Sequence, residues 1–493
     1  MKSLNNVHKE RKNYHVTKNH ATVHRSSLLA PKIVNAATWI SFLNHFLIKR
    51  NYKRVVCKIT SVDKNGSFVN SVSLDIKKPM VYSICLDDLF ELKLQISQYM
   101  IEFFSENNLY IPFPAVNVNH VGKGFVNTCH SYNRVLNDGF EDDLINSNHV
   151  IETSIDVLVS KDYDTFFNFV SGPISVSGKI HVSLKTNDKT FTKEISINQS
   201  KLTNKNYFIS EIFEESDIAN GAVLKILQPK QKMFFGRILS GIIEKQTKYF
   251  SANHSYYDSS DTKEYFDNNS SQRIYPFFQN YYNGITFYPI MSPSDINIHI
   301  EYLLHGEIIK SKSWVISSPS SNSLNIDVNK VVGKNKQFVS AFSVVATVDG
   351  SKIPTRVNHQ LQYSKSPSSS LKCSINTSLS NSEVFVPEGR SSFIWGQILL
   401  DLNYISNLGL CFGSSIDGNE ESISVEIYSE SGKVWNFDAK LSPGESFILN
   451  QNDFNLKLDE GNFFWYVAKS KRSDLLAQFF HTNIETGHSS CLL

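Results

Sequence analysis

Four histidines recur along the chain at intervals the size of a small domain. His130, His254, His359 and His488 lie 124, 105 and 129 residues apart. Imidazole ligates metals and shuttles protons near neutral pH, so a repeated histidine is a candidate for metal binding or acid–base catalysis. One histidine per repeat is too few for a structural zinc site, which takes about four ligands. We therefore predict no metal and no other cofactor.

The residues that follow the first two histidines add hydrogen-bonding groups. Such side chains can form hydrogen bonds to the hydroxyl groups of a sugar or to a carboxylate. An aromatic ring can cover the C–H face of a sugar. In the alternative, structural interpretation, strand tyrosines pack sideways on their neighbours and a histidine at a strand end ties its ring to a backbone carbonyl. The predicted binding residues are His130, Tyr132, Asn133, Arg134, His254, Tyr256, Tyr257, Asp258, His359 and His488.

A β-hairpin pattern precedes each histidine and must help to position it. Alternating apolar and polar residues flank turns at Gly66, Asp188, Gly306 and Gly432. The first turn is Asn-Gly, the strongest short-range hairpin signal. The turns lie 53 to 66 residues before the histidines, which indicates a tandem repeat with a domain-sized period. We expect the turns to occupy one place in four copies of a domain, with each histidine near an end of the last strand.

Composition favours strands and turns over helices. The 493 residues include 34 phenylalanines and 21 tyrosines but only 5 methionines, and no amphipathic helical pattern lasts beyond about three turns. We predict an all-β fold, a tandem array of about four β-sandwich-like domains. Residues 39–48 are predicted as a strand rather than a helix, because the matching segment of the third copy contains a proline. The predicted ranges are a short disordered basic leader at 1–36 and sandwiches at 37–145, 150–268, 272–375 and 380–493.

Charge and cysteine usage narrow the classes of partner and compartment. The formal net charge of +2 argues against a specific nucleic-acid partner. The six cysteines are scattered without a paired motif, which is typical of reduced thiols rather than a disulfide framework. The sequence has neither a signal-peptide pattern nor an apolar run of about 18 residues that could span a membrane. We expect a cytoplasmic protein by default, with a surface or extracellular location as the alternative.

The usual signatures of hydrolases, zinc proteases, nucleotide-binding loops and paired-cysteine sites are absent from the sequence. We therefore predict a non-enzymatic binding or assembly protein with a glycan or a protein as its partner. Two alternatives stay open. One is a carbohydrate-active or metal-dependent enzyme with a site between repeats around the histidines, and the other is a structural subunit of a surface or particle assembly. Whether the four histidines converge in space would best discriminate among these three functions. The sequence predicts no oligomeric state.

Overall fold

A computed structural model describes most of the chain between residues 26 and 492. Strands take up 60% of the chain and helices 8%, and the strands form separate four-stranded sheets. The prediction of an all-β fold built from tandem β-sandwiches is therefore confirmed. The described residues are 26–33, 35–90, 95–106, 111, 114–130, 133–135, 151–186, 189–218, 221–231, 233–258, 263–318, 323–379, 390–456 and 462–492.

The strands form four sandwiches that share one topology. In each sandwich, one sheet holds strands one, six, three and four in that order, and the other holds strands five, two, seven and eight. Neighbouring strands run antiparallel, and one face of each sheet is apolar and packs inwards. The repeated strand order is the three-dimensional counterpart of the repeated sequence pattern.

Sandwiches 1 and 2 are made by the first half of the chain. Sandwich 1 contains β1 (Ser26–Pro31), β2 (Ala37–Leu43), β3 (Val55–Asp63), β4 (Phe68–Ile76), β5 (Val81–Cys85), β6 (Ile96–Ser105), β7 (Asn117–Gly122) and β8 (Phe125–His130), followed by β9 (Asn133–Val135). Sandwich 2 contains β10 (Ile151–Asp156), β11 (Tyr163–Val170), β12 (Val176–Lys185), β13 (Thr190–Gln199), β14 (Asn204–Phe208), β15 (Val223–Leu227), β17 (Leu239–Glu244) and β18 (Phe250–His254), with the extra strand β19 (Tyr256–Tyr257). The strand β16 (Met233–Gly236) pairs with β9 and extends a sheet of sandwich 1.

Sandwiches 3 and 4 are made by the second half. Sandwich 3 contains β21 (Ser270–Pro276), β22 (Tyr282–Phe287), β23 (Ile296–Leu304), β24 (Glu307–Ile316), β25 (Leu324–Asp327), β26 (Ala341–Val348), β28 (Val357–Ser364) and β29 (Cys373–Leu379), with the pair β20 (Tyr265–Asp267) and β27 (Lys352–Pro354). Sandwich 4 contains β30 (Ser392–Leu400), β31 (Tyr404–Phe412), β32 (Glu421–Ser429), β33 (Gly432–Leu441), β34 (Ser446–Asn450), β35 (Asn462–Ser470), β36 (Leu475–Asn483) and β37 (Ser489–Leu492).

The helices are short connections. Helices α1 (His45–Arg50), α2 (Ile209–Ile212) and α3 (Val328–Val332) join strands at the ends of the sandwiches, as do 3₁₀ turns at Leu86–Asp88, Glu215–Asp217, Gly333–Phe338 and Gln451–Phe454.

Two expectations about the beginning of the chain need correction. The predicted leader extends too far, because β1 lies within 1–36 and pairs with β6 of sandwich 1. The predicted strand at 39–48 is half right: β2 ends at Leu43 and α1 follows it. The side chain of Asn44 accepts a hydrogen bond from the backbone N–H of Leu47 at 3.2 Å, which caps the helix and ends the strand. The other domain boundaries stay predictions.

The hairpin turns lie at the same place in the sandwiches. Gly66, Gly306 and Gly432 each sit in the turn between strands three and four with positive φ angles of 78°, 80° and 106°, and Asp188 lies outside the described residues. Each of these turns reaches the loop between strands four and five of another sandwich. The contacts are Gly66 with Lys201, Gly306 with Pro443 and Gly432 with Pro79.

Hydrogen bonds join sandwich 2 to sandwich 3, and sandwich 4 in turn contacts sandwich 1. The Asn253 side chain donates to the backbone carbonyl of Ser374 at 2.6 Å. Sandwich 4 returns to sandwich 1, where the amide groups of Asn119 and Gln397 exchange two hydrogen bonds of 3.0 and 2.9 Å. Head-to-tail contacts form a ring when the rotation between units closes. The four sandwiches therefore form a closed ring rather than an extended row.

Apolar cores cross the borders between the sandwiches. The core of sandwich 1 includes Phe166 and Phe250 of sandwich 2 and Trp465 of sandwich 4. The core of sandwich 3 includes Phe480 and Cys491 of sandwich 4. Because burying apolar surface is the main source of folding free energy, shared cores make the ring itself a stabilised unit.

Candidate functional site

The last strands of the four sandwiches meet at the centre of the ring. Strand β8 contacts β18 and β37, and β29 contacts the same two strands. The backbone N–H of Ala252 donates to the Asn127 side chain at 2.7 Å, and the backbone N–H of Thr128 donates to the Ser490 hydroxyl at 2.9 Å. This junction is where the predicted histidines can be compared directly.

His130 and His254 touch each other at this junction. Each is the last residue of strand eight in its sandwich, and their Nε2 atoms lie 3.1 Å apart. His254 Nδ1 lies 2.8 Å from the carbonyl oxygen of Ser255 and must donate to it. His254 Nε2 is then the acceptor and His130 Nε2 the donor, so the pair fixes a tautomer for both rings.

The surroundings keep both rings neutral. Burial first, and the neighbouring guanidinium second, lower the pKa of His130 to about 4. Burial also holds the pKa of His254 well below its usual range. Arg237 is buried, donates to the carbonyl of Ser255 at 2.7 Å and lies 4.6 Å from the Tyr256 ring centre. A neutral, donor–acceptor pair of imidazoles is suited to holding two sandwiches together and to presenting a fixed polar edge.

A buried acid accompanies the histidine pair. Glu152 is fully buried and its Oε2 accepts a 2.7 Å hydrogen bond from the Ser255 hydroxyl. Burial raises the pKa of Glu152 to about 7, although Arg237 and the Ser255 hydroxyl both lower it. Cys129 is buried and its pKa is raised by desolvation, so its thiol stays protonated and unreactive at neutral pH.

His359 and His488 occupy different positions and have structural contacts. His359 lies on β28, which is strand seven rather than strand eight, so its expected equivalence with the other histidines is wrong. Its Nδ1 lies 3.1 Å from the Val357 carbonyl, and the Tyr275 hydroxyl donates to its Nε2 at 2.7 Å. His488 directly precedes β37 and its Nε2 donates to the carbonyl of Phe250 at 2.6 Å. Both rings are tied in the way that the structural interpretation expects.

The remaining predicted site residues divide into three groups. Tyr256 lies beside Arg237 at the junction. Asp258 is buried and forms a 2.6 Å ion pair with Lys225 inside sandwich 2, which gives it a structural partner away from the junction. Tyr132 lies outside the described residues, and for the others the structure describes only the backbone: Asn133 and Arg134 in β9 and Tyr257 in β19.

A cavity of about 660 Å³ opens beside the histidine pair, and all four sandwiches line it. We call it the central pocket. His130 comes from sandwich 1, Tyr256 from sandwich 2 and Asn376 from sandwich 3, while Trp395 and Trp465 come from sandwich 4. Its size falls in the range of small-molecule sites, which are mostly apolar with a few convergent polar groups.

The polar groups of the central pocket carry a positive charge. Arg273 is the charged residue among the described lining residues, and no described carboxylate lies within ion-pair distance of it. Its Nη1 donates to the Thr377 hydroxyl at 3.1 Å and to the Ser378 carbonyl at 3.3 Å. These bonds hold the guanidinium against sandwich 3, and its other N–H groups are left to meet an acceptor in the pocket.

Sequence reasoning found His130 and Tyr256 but missed Arg273, Trp395 and Trp465. The chain contains only five tryptophans, and Phe393 and Trp395 alternate on one face of β30 as half-buried rings. Half-exposed aromatic residues two apart on a strand are a usable binding signal. No local spacing, however, connects them with an arginine more than 100 residues earlier.

A transition-metal site would need several histidine, cysteine or carboxylate ligands at one point. Within the described ranges, no group of three or more such residues could hold a metal ion. No helix in the part of the chain that the structure describes is long and apolar enough to cross a membrane.

Comparisons with known proteins identify no family and no function for this chain. No protein-family model and no curated protein sequence matches the chain. Among solved structures, the chain is 8% identical to a tetra-tandem repeat in the extending region of a large adhesion protein, over 94% of this chain and 97% of that one, with a TM-score of 0.12. It is 10% identical to the FN1–FN3 domains of chicken CNTN1, over 69% of this chain and 94% of that one, with a TM-score of 0.09. Likenesses this weak carry no argument about function.

Proposed function

We propose that the protein is a non-enzymatic binding protein whose central pocket holds a small molecule with a flat apolar body and an acidic group. The observation that carries this proposal is the composition of the pocket: aromatic rings from sandwiches 2 and 4 line the same cavity as Arg273 of sandwich 3, the charged residue of its described lining. Flat rings bind between aromatic walls through apolar contact and stacking. A carboxylate would accept charge-assisted hydrogen bonds from the guanidinium.

The closed ring supports the same proposal. A pocket that four units build together has walls fixed by the shared apolar cores of the ring, so its side chains are held in place before a ligand arrives. Preorganised sites bind more tightly because less freedom is lost on binding. The neutral His130–His254 pair adds a polar edge whose hydrogen-bonding pattern is fixed by the Ser255 carbonyl.

A matched pair of probes tests the charge requirement. We expect 2-naphthoate to bind the purified protein about tenfold more tightly than the neutral 2-naphthamide, because one charge-assisted hydrogen bond contributes about 1.5–3 kcal/mol. Isothermal titration calorimetry measures both affinities. Arg273→Gln is expected to abolish the preference for the acid while the amide still binds, and Trp395→Ala to weaken both.

The exposed Arg50 provides a control for this experiment, since Arg50→Gln removes a positive charge outside the pocket and is expected to leave both affinities unchanged. Equal affinities of acid and amide in the unmodified protein would contradict the proposed ligand class. An acid preference that survives Arg273→Gln would place the binding site elsewhere.

A further inference from the structure

A second cavity lies between sandwiches 2 and 3, and its chemistry differs from that of the central pocket. This polar cleft has a volume of about 430 Å³. The sheet of strands five, two, seven and eight forms the wall on the sandwich 3 side, and β17 and β18 contribute on the sandwich 2 side. Its described lining includes amide, hydroxyl and charged side chains: Asp156, Ser251, Asn253, Tyr282, Thr286, Asn325, Gln360, Gln362, Ser369, Ser370, Lys372, Ser374 and Asn376.

Amide side chains form a hydrogen-bonded row along the cleft. Gln362 Nε2 donates to the Asp156 carboxylate at 2.8 Å and to the side-chain oxygen Oε1 of Gln360 at 2.9 Å. Gln360 in turn donates to Asn376 at 3.3 Å, and Asn376 donates to the backbone of His254 at 2.9 Å. The row is therefore anchored at both ends and its members cannot turn freely. Gln360 and Asn376 each keep one N–H and one oxygen lone pair to offer to a ligand, whereas Gln362, which donates twice, keeps only its Oε1.

Two amide groups of the cleft, those of Asn325 and Gln362, each have an atom without a hydrogen-bond partner among the described residues. Asn325 is exposed, and its Oδ1 accepts a 2.6 Å hydrogen bond from the Thr286 hydroxyl. Among the described residues, its Nδ2 has no partner, and the same holds for Gln362 Oε1. A ligand that bridges these two atoms must both accept and donate hydrogen bonds, which is the property of a hydroxyl group.

The charges of the cleft cancel, and one aromatic ring completes it. Asp156 and Lys372 are its charged residues within the described lining, and their opposite signs favour a ligand without net charge. The Lys372 ammonium lies 4.6 Å from the ring centre of Tyr282. Gly284 lets this ring lie against the strand, since a Cβ there would approach the Tyr282 hydroxyl oxygen to 2.4 Å. The ring is thus held flat beside the amide row.

We propose that the polar cleft binds a neutral sugar residue of a glycan. A pyranose carries hydroxyl groups that both donate and accept, and it has a C–H face that packs against an aromatic ring. The fixed amide row and the Asn325 and Gln362 groups match the hydroxyl groups. The Tyr282 ring, whose centre lies 4.6 Å from the Lys372 ammonium, adds apolar surface beside them. The absence of a net charge in the described lining excludes an acidic sugar as the preferred ligand, so this site and the central pocket select different classes of molecule.

The test uses a panel of neutral sugars against the full chain: glucose, galactose, mannose, N-acetylglucosamine, maltose, cellobiose and lactose. Saturation-transfer-difference NMR detects binding in the millimolar range, and calorimetry measures the dissociation constant of each binder. At least one sugar is expected to bind, and Asn325→Ala and Gln362→Ala are each expected to weaken it by about tenfold, the effect of one lost pair of hydrogen bonds. Glucuronate is expected to bind more weakly than glucose.

Arg50→Gln is the control, because Arg50 is exposed and lines neither cavity, and it is expected to leave sugar binding unchanged. Asn325 is exposed, so Asn325→Ala is expected to fold normally, and its thermal unfolding curve reports that directly. If no sugar of the panel binds, the cleft holds only water and the proposal is overturned. Sugar binding that is unaffected by both amide variants would overturn it as well. Neither outcome depends on the ligand of the central pocket.

Discussion

The folded chain is expected to lose stability steeply as the pH falls from about 6.5 to 4. Five of the buried histidines, each at most 7% exposed, have lowered pKa values: His120, His254, His359, His481 and His488. Burial lowers the pKa of His120 and His488 to about 4 and that of His359 and His481 to about 3. The pKa of His254 is also lowered, first by burial and then by His130.

The direction of this change in stability follows from the pH range in which the folded and the unfolded chain each bind protons. Above the unfolded pKa of about 6.5, the rings are neutral in both states and cost nothing. Below it, the unfolded chain takes up protons that the folded chain cannot bind. Each of the four histidines with a pKa of about 3 to 4 costs about 3 kcal/mol by pH 4, and His254 acts in the same direction. Glu152 acts in the opposite direction, because its pKa is raised by burial to about 7, but it is one group against five. The net cost is comparable with a typical folding free energy of about 5–15 kcal/mol.

Urea unfolding at a series of pH values measures this dependence. His359→Asn is expected to reduce proton uptake on unfolding by about one proton near pH 5, whatever it does to stability at pH 7. Asn325→Ala is the control, since Asn325 is exposed and binds no proton, and its pH profile is expected to match the unmodified protein. A folding free energy that stays constant between pH 6.5 and 4.5 would show that these rings are not held neutral in the fold.

Replacing Gly66 by alanine is expected to break the contact between sandwiches 1 and 2. A Cβ on Gly66 would lie 1.8 Å from the carbonyl oxygen of Lys201, well inside any tolerated contact. Positive φ alone costs a non-glycine residue about 1–2 kcal/mol. Because the clash involves backbone, the loop of sandwich 2 must move, and we expect a total loss of at least about 3 kcal/mol.

The other two turns provide graded controls for Gly66→Ala. At Gly432, which also has positive φ, the nearest atom to an added Cβ is 3.9 Å away, so Gly432→Ala carries the backbone strain without the clash. At Gly306 the distance to the Pro443 carbonyl oxygen is 2.9 Å. The expected order of destabilisation in denaturant unfolding is therefore Gly66, Gly306, Gly432. Equal losses at all three would mean that the turns do not press against neighbouring sandwiches.

Local patterns of the sequence predicted the local parts of the fold. Alternation of apolar and polar residues around Gly66 and Gly432 identified hairpins that are present, because strand side chains alternate between two faces. The spacing between turn and histidine placed His130 and His254 near an end of the last strand, where they lie. It failed for His359, which lies in strand seven, because a spacing counted along the chain does not tell two neighbouring strands apart. The strand β1 was missed, since its short apolar run directly follows a basic segment.

The ring and both cavities could not be predicted in this way. The contact of Gly66 with Lys201 depends on how two domains rotate against each other, which leaves no periodic mark in the sequence. Arg273 and Trp395 line one cavity from sandwiches 3 and 4, and the amide row of the polar cleft joins residues from two sandwiches. The repeat therefore predicted what each unit is but not what the four units build together.

Small-angle X-ray scattering of the purified chain tests the closed ring most directly. A compact chain of 493 residues has a radius of gyration of about 23 Å, whereas four sandwiches in a row would reach roughly 40 Å. The account predicts a value close to the compact limit, at low and high salt alike, because shared cores and buried amide pairs hold sandwich 4 against sandwich 1. A value near that of the extended row would contradict the ring and, with it, the central pocket.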